Sequence, residues 1–232
     1  TLTVSDNFKF NAKTNFYNTG TITIGNLFEF TNNCTLTNKG YVKTQNLKMT
    51  SAANVINVRT INIEKALTCN SANSSFTLNK GTIIAATMEF NNTKIQLNNG
   101  SMLKATEKIL NIWDNKYTNS GGDQSLVKSP LILHKWGGAK YSNTITLEGT
   151  QKMNENAQDY QPGKSHNYYS GCVEQEYDKS GLVITTTCGD ITNPGNKGEE
   201  PKDPPLDPIV DENTYTYLFE DQWPLYHDYD MN

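Results

Sequence analysis

The feature that most constrains this chain is a repeat of about twenty residues running through its first hundred. Cut after each Asn-x-Gly or its equivalent, that segment falls into five similar blocks beginning at Thr1, Thr21, Tyr41, Thr60 and Thr82. Self-similarity at such a period marks architectures in which each block is one unit that buries its apolar face only by stacking on a neighbour. Within a block the second and fourth positions are usually apolar, as at Leu2 and Val4, Ile22 and Ile24, Ile61 and Ile63. That alternation is the pattern of a strand with one buried face. A second strand follows, placing Phe10, Phe30, Met49, Cys69 and Phe90 at equivalent positions, and a third apolar cluster (Phe16, Leu36, Val55, Phe76, Ile95) precedes the turn. Three short faces per block predict one coil.

The turn itself recurs. Asn18, Asn38, Asn57, Asn79 and Asn98 stand two residues before Gly20, Gly40, Arg59, Gly81 and Gly100. Glycine accepts positive φ without a Cβ clash, and a stacked Asn hydrogen-bonds its equivalent one coil away, so these residues are expected to form a repeated structural corner. Consecutive hairpins in a sandwich would also use short strands, but would not require Phe to match Phe and Asn to match Asn from block to block. The matching favours a parallel stack: an all-β, right-handed parallel β-helix (β-solenoid) with coils of about 20 residues, followed by an irregular β region from about residue 101 and a linker. All eight prolines lie at Pro130 or later, so none interrupts the five blocks, where a strand could not spare its N–H.

Composition agrees. Asn and Thr make up about a quarter of the chain, hydrophobic residues are 35% and mean hydropathy is −0.63. Thr suits strands and Asn suits turns, so many short strands are expected and long helices are not. No apolar run reaches bilayer-spanning length and no charged-then-apolar leader opens the chain, which predicts a soluble mature fragment with any export signal or lipid anchor upstream. Residues 1–110 carry eleven Lys or Arg against five acids, whereas residues 199–232 carry one Lys against ten acids. A single arginine, Arg59, argues against a nucleic-acid reader, which relies on clustered Arg and Lys.

Three regions are expected: a solenoid with its capping β region over 1–192, a Pro-rich acidic linker over 193–213, and the start of a truncated domain over 214–232. Aromatic residues gather after residue 110. Trp113, Trp136, Tyr141, Tyr168 and Tyr169 are the candidate binding patch, because exposed aromatic rings stack on sugars or anchor protein partners. Cys34 and Cys69 sit in strand-like segments as small buried hydrophobes, while Cys172 and Cys188 flank two strand-like runs and are the candidate disulfide. His134, His166 and His227 are isolated, and no HExxH, serine elbow or phosphate-cradling motif is present.

The last residues, FEDQWPLYHDYDMN, carry a resemblance. Phe219, Glu220, Asp221, Trp223, Pro224, Asp228, Tyr229, Asp230 and Asn232 match the opening of the LruC domain found in exported and surface proteins of Bacteroidetes, with His227 where that domain has glycine. The resemblance covers only Phe219 to Asn232 and implies export. Asp228, Asp230 and Asn232 have the alternate-residue spacing of oxygen-ligand calcium loops, and in the family this segment resembles such a loop, which implies calcium as the cofactor of the intact domain. The expected function is non-enzymatic: a cell-surface or secreted protein that adheres to or recognises a glycan or a partner protein, with no nucleic acid involved. The alternatives are a polysaccharide-degrading, lyase-like β-helix enzyme and a structural spacer. The acids of the repeats (Asp6, Glu29, Glu64, Glu89, Glu107) are spread along the chain rather than paired for acid–base work.

Overall fold

A computed structural model describes residues 1–11, 13–135, 139–142, 144–153, 158–159, 172–185 and 191–194. The chain divides into two units, Thr1–Glu200 and Pro201–Asn232, and all described residues lie in the first. Apart from 193–194, the linker and truncated domain expected over 193–232 therefore lie outside the described residues.

The described residues form a parallel β-solenoid with no helix. The first coil comprises β1 (Leu2–Val4), β2 (Phe8–Phe10) and β3 (Asn15–Asn18). Six coils of one long and one short strand follow: β4 (Thr21–Phe30) with β5 (Thr35–Asn38), β6 (Tyr41–Met49) with β7 (Asn54–Asn57), β8 (Thr60–Asn70) with β9 (Ser75–Asn79), β10 (Thr82–Asn91) with β11 (Lys94–Asn98), β12 (Met102–Asn111) with β13 (Asn115–Thr118), and β14 (Ser125–His134) with β15 (Ala139–Tyr141). The long strand β16 (Ile145–Met153) opens a further turn, with β17 (Gln158–Asp159) and β18 (Val173–Gln175) paired to it, and β19 (Val183–Thr185) pairs antiparallel with β20 (Ile191–Pro194). Long strands stack on long and short on short, each in parallel register. Regular stacking thus continues well past Gly100, into the region where the sequence period loosens.

The first two strands expected in each block are one strand after the first coil. A register shift bends the long strand at its middle, between Ile24 and Leu27 in β4, Thr44 and Asn46 in β6, and Ala85 and Thr87 in β10. A bulge increases local twist and re-aims the strand, so the two arms wrap two sides of the core while the short strand closes the third. Pro130 falls inside the shift between Lys128 and Leu131 of β14, where a missing N–H costs no ladder bond.

Apolar residues at matched positions form columns down the interior. Ile22, Val42, Ile61, Ile83, Leu103, Val127 and Leu147 occupy one, and all are buried. Full burial of each such side chain is worth about 1.5–3 kcal/mol. Phe8 stacks on Phe28 at 5.9 Å between ring centroids and Phe10 on Phe30 at 5.4 Å. Cys34 and Cys69 are buried free thiols in this core, as expected.

The Asn corner is partly as expected. Asn18 Nδ2 donates to Asn38 Oδ1 at 2.7 Å and Asn38 Nδ2 to Asn57 Oδ1 at 2.8 Å, forming a buried amide ladder across three coils. It stops there, because Asn57 is in register with Leu78, one residue short of Asn79. Leu78 and Leu97 fill the corner from inside, Asn79 is exposed, and Asn98 accepts hydrogen bonds from Ser120 instead. The glycine role also differs from expectation, since of Gly20, Gly40, Gly81 and Gly100 only Gly100 has positive φ, at 75°. Gly40 and Gly81 are needed for close approach: a Cβ would strike the backbone of Gly20 in one case and of Asn57 in the other. At the Asn-x-Gly corner of two later coils the left-handed residue is the middle one, Lys80 and Asn99, and further left-handed residues sit at the other corner, between long and short strands, at Asn32, Asn33, Ser51, Ala52, Asn92 and Asp114.

Candidate binding faces

Because the interior is filled, anything this solenoid recognises must meet outward side chains. These form columns too, spaced by the strand separation of about 4.8 Å. The concave line where the long strands bend is one such feature, a groove of about 390 Å³ lined by Asn7, Asn26, Leu27, Asn46, Lys48 and Thr68 among others. Asn26 Nδ2 donates to Asn7 Oδ1 at 2.9 Å and Asn46 Nδ2 to Asn26 Oδ1 at 3.5 Å, so the groove carries an exposed amide ladder. Beside it runs a charged column in which Glu29 takes Lys9 at 3.0 Å and Lys48 at 3.3 Å. Burial would raise the Glu29 pKa, but the two ammonium groups outweigh it and hold the carboxyl below its usual value.

Of the candidate aromatic patch, Trp113 and Tyr141 are among the described residues, and Tyr141 is not at the surface. Trp113 is 51% exposed at the turn between β12 and β13. Tyr141 is a core residue, 2% exposed, and its ring stacks on Tyr117 at 4.5 Å. The two hydroxyls are accommodated by Asn111, whose Oδ1 accepts from Tyr117 at 2.8 Å and whose Nδ2 donates to Tyr141 at 3.1 Å. Tyr141 follows Phe16, Leu36, Val55, Phe76, Ile95 and Tyr117 down one interior column, and this register withdraws it from any surface role. Trp136, Tyr168 and Tyr169 lie outside the described residues, as do Asp228, Asp230 and Asn232 of the calcium-loop-like motif. Of the candidate disulfide, Cys172 is a half-buried free thiol whose pKa burial pushes up to about 12, with Glu174 adding to the rise, while Cys188 lies outside the described residues.

His134 closes this polar end of the core. It is fully buried, its ring edge-on to Tyr141 at 6.2 Å and its Nε2 3.2 Å from Gln151 Oε1. Burial drives its pKa down from 6.5 to about 4, with Gln151 opposing the shift only in part. The unfolded chain therefore takes up a proton at a pH where the folded chain refuses one, so the cost is absent above pH 6.5, grows as pH falls, and is complete below about 4. Urea denaturation at stepped pH should show His134→Asn losing about 3 kcal/mol less than the parent chain across that window; parallel profiles would contradict this account.

Two features had no place in the motif reading. On the outer face of the long sheet, Lys104, Lys128 and Glu148 stand in register and are buried. They are covered by the segment from Tyr177 to Ile184, with Ile184 packed on Met102 and Leu126. Lys128 Nζ pairs with Glu148 at 2.9 Å and with Asp178, and lies 5.2 Å from the Tyr177 ring centroid. Glu148 also accepts from the Asp178 N–H at 2.9 Å and from the Ser180 hydroxyl. The other feature is a column of Lys94, Lys116 and Lys140 on the short sheet. A second groove, of about 980 Å³, lies beside β16 and β18 and holds Gln151, Glu174, Glu176, Tyr177 and Lys179, with Gln151 Nε2 donating to Glu174 at 2.8 Å. No protein family, curated protein or solved structure matches this chain.

Proposed function

We propose that this protein is a non-enzymatic, exported surface or secreted binding protein that recognises an extended glycan along the outward faces of its solenoid. The observation that carries the reading is the in-register repetition of outward polar side chains, above all the amide ladder Asn7–Asn26–Asn46 along a groove. Each amide offers donors and an acceptor at a repeating interval, which is what a chain of sugar hydroxyls requires, and the sheet beneath keeps the array rigid. The acids near these faces have structural partners: Glu29 holds two lysines, and Glu148 is enclosed by Lys128, the Asp178 backbone and Ser180. Export rests on the resemblance of the C-terminal residues, Phe219 to Asn232.

The test is a glycan-array screen of the purified chain, with reducing-sugar release followed on the same polysaccharides. Selective binding without release is expected. Asn26→Ala combined with Asn46→Ala should weaken binding about tenfold, at one to two hydrogen bonds lost, with stability changed by less than about 0.5 kcal/mol. Uniform silence on the array would instead favour a structural spacer.

One observation favours a second reading, a glycan-cleaving enzyme. The larger groove carries Glu174 and Glu176 two residues apart, and paired carboxylates are a means of acid–base chemistry on sugars. Sugar release abolished by Glu174→Gln or Glu176→Gln would establish it in place of the binding reading.

A further inference from the structure

We infer that the outer face of the short sheet is a track for an acidic polysaccharide, with Lys94, Lys116 and Lys140 pairing its anionic groups. This rests on the reading of the protein as a glycan binder but uses a face distinct from the amide groove. The three lysines are exposed and occupy matched positions on β11, β13 and β15, so their Cα atoms lie in line at about 4.8 Å intervals along the stacking direction. Like charges opposed across neighbouring strands repel, and among the described residues only the Lys140 end of this array has an acidic partner. Lys140 has one partner, Asp114 at 3.8 Å, and among the described residues neither Lys94 nor Lys116 forms an ion pair. A ligand carrying carboxylates or sulfates at a comparable pitch removes the repulsion and releases counterions as it binds.

Two neighbouring features select a polysaccharide among polyanions. Trp113, half-exposed at the turn leading into β13 and three residues before Lys116, offers an aromatic ring for a sugar. In the other direction the same register position continues as Ser75, Asn54 and Thr35, with Ser75 Oγ donating to Asn54 Oδ1 at 2.6 Å, so the track passes from ammonium groups to hydroxyl and amide groups. A mixed charged and hydroxyl-rich chain matches that order. A nucleic acid would need phosphate contacts along its whole length, and this chain has a net charge of −4 and a single arginine.

The experiment measures binding of the full chain to polygalacturonate and chondroitin sulfate by biolayer interferometry, with dextran and single-stranded oligo-dT as comparators. Both acidic polysaccharides should bind, losing about tenfold or more in affinity between about 50 and about 200 mM salt. The triple variant Lys94→Gln, Lys116→Gln, Lys140→Gln should lose about tenfold or more while melting close to the parent, because the repulsion it relieves offsets the loss of the long, exposed Lys140–Asp114 pair. Lys39→Gln, Lys65→Gln, Lys80→Gln removes equal charge from exposed positions elsewhere and should retain binding. Equal losses in the two triple variants, unaltered binding in the ladder variant, or tighter binding to oligo-dT would each overturn the inference. Neutral glycans binding while both acidic ones fail would sink the lysine track and leave the amide groove standing; failure of every glycan would remove both.

Discussion

Lys128→Met is expected to destabilise the outer-face closure by about 3–5 kcal/mol, because it strands Glu148 as an uncompensated buried charge. Glu148 is 1% exposed, and its carboxylate is enclosed by Lys128, the Asp178 N–H and the Ser180 hydroxyl. Burial pushes the Lys128 pKa down, but Asp178 and Glu148 outweigh it and hold the ammonium above its usual value, so this contribution is present at neutral pH and lost only as pH rises through that raised pKa. The double replacement Lys128→Met with Glu148→Met should recover most of the loss, since a buried pair exchanged for apolar side chains is often neutral or better. A solenoid unfolds by neighbouring units rather than all at once, so hydrogen exchange is the informative readout. Protection at Val183 and Ile184, and then in β14 and β16, should fall first. A single variant as stable as the parent, or a double variant worse than the single, would show that the covering segment is held by Ile184 on Met102 and Leu126 and not by the ion cluster.

Those two results would separate parts of the molecule that differ in how legible they were. The interior columns were readable because burial acts on every coil alike: an apolar residue at one position implies one at the next. The corners were less so, because a turn has several solutions for the same residues. Asn-x-Gly suggested positive φ at the glycine, yet Gly40 and Gly81 serve close backbone approach, and where this corner is left-handed the middle residue carries it, at Lys80 and Asn99, as others do at the corner after the long strand. Asn79 aligns by sequence with Asn57, but β9 enters in step with β7 and runs one residue longer before its turn, so Leu78 takes the inner position. Tyr141 looked like a surface ring because its neighbours in sequence are polar; only its register over Tyr117 makes it core. The lysine column and the Lys128 cluster depend on which residues become neighbours 20 to 24 positions apart, once coils of unequal length have stacked.

The position where corner chemistry is expected to matter most is Asn38. It has no exposed surface, and its amide donates to Asn57 Oδ1 at 2.8 Å, Gly40 O at 2.9 Å and Thr60 O at 3.2 Å, while its carbonyl oxygen accepts from Asn18 at 2.7 Å and from the Gly40 N–H at 3.2 Å. Asn38→Ala leaves several buried groups without a partner at about 1–3 kcal/mol each, so a loss of about 3–5 kcal/mol is expected, against less than about 0.5 kcal/mol for Asn79→Ala on the exposed side of the same turn series. Asn38→Asp is the sharper probe. It keeps the shape but turns the donor into a second acceptor, setting a buried carboxylate against three oxygens. Burial and those oxygens raise its folded pKa above the unfolded value of about 3.9, so the penalty is full at neutral pH and is relieved as pH falls through the raised pKa and restores an O–H donor. Asn38→Asp should therefore be less stable than Asn38→Ala at pH 7 in urea denaturation and gain on it under acid. Equal losses at both pH values would mean that the ladder fills space without its hydrogen bonds contributing, and the repeated Asn would then mark the turn's backbone shape alone.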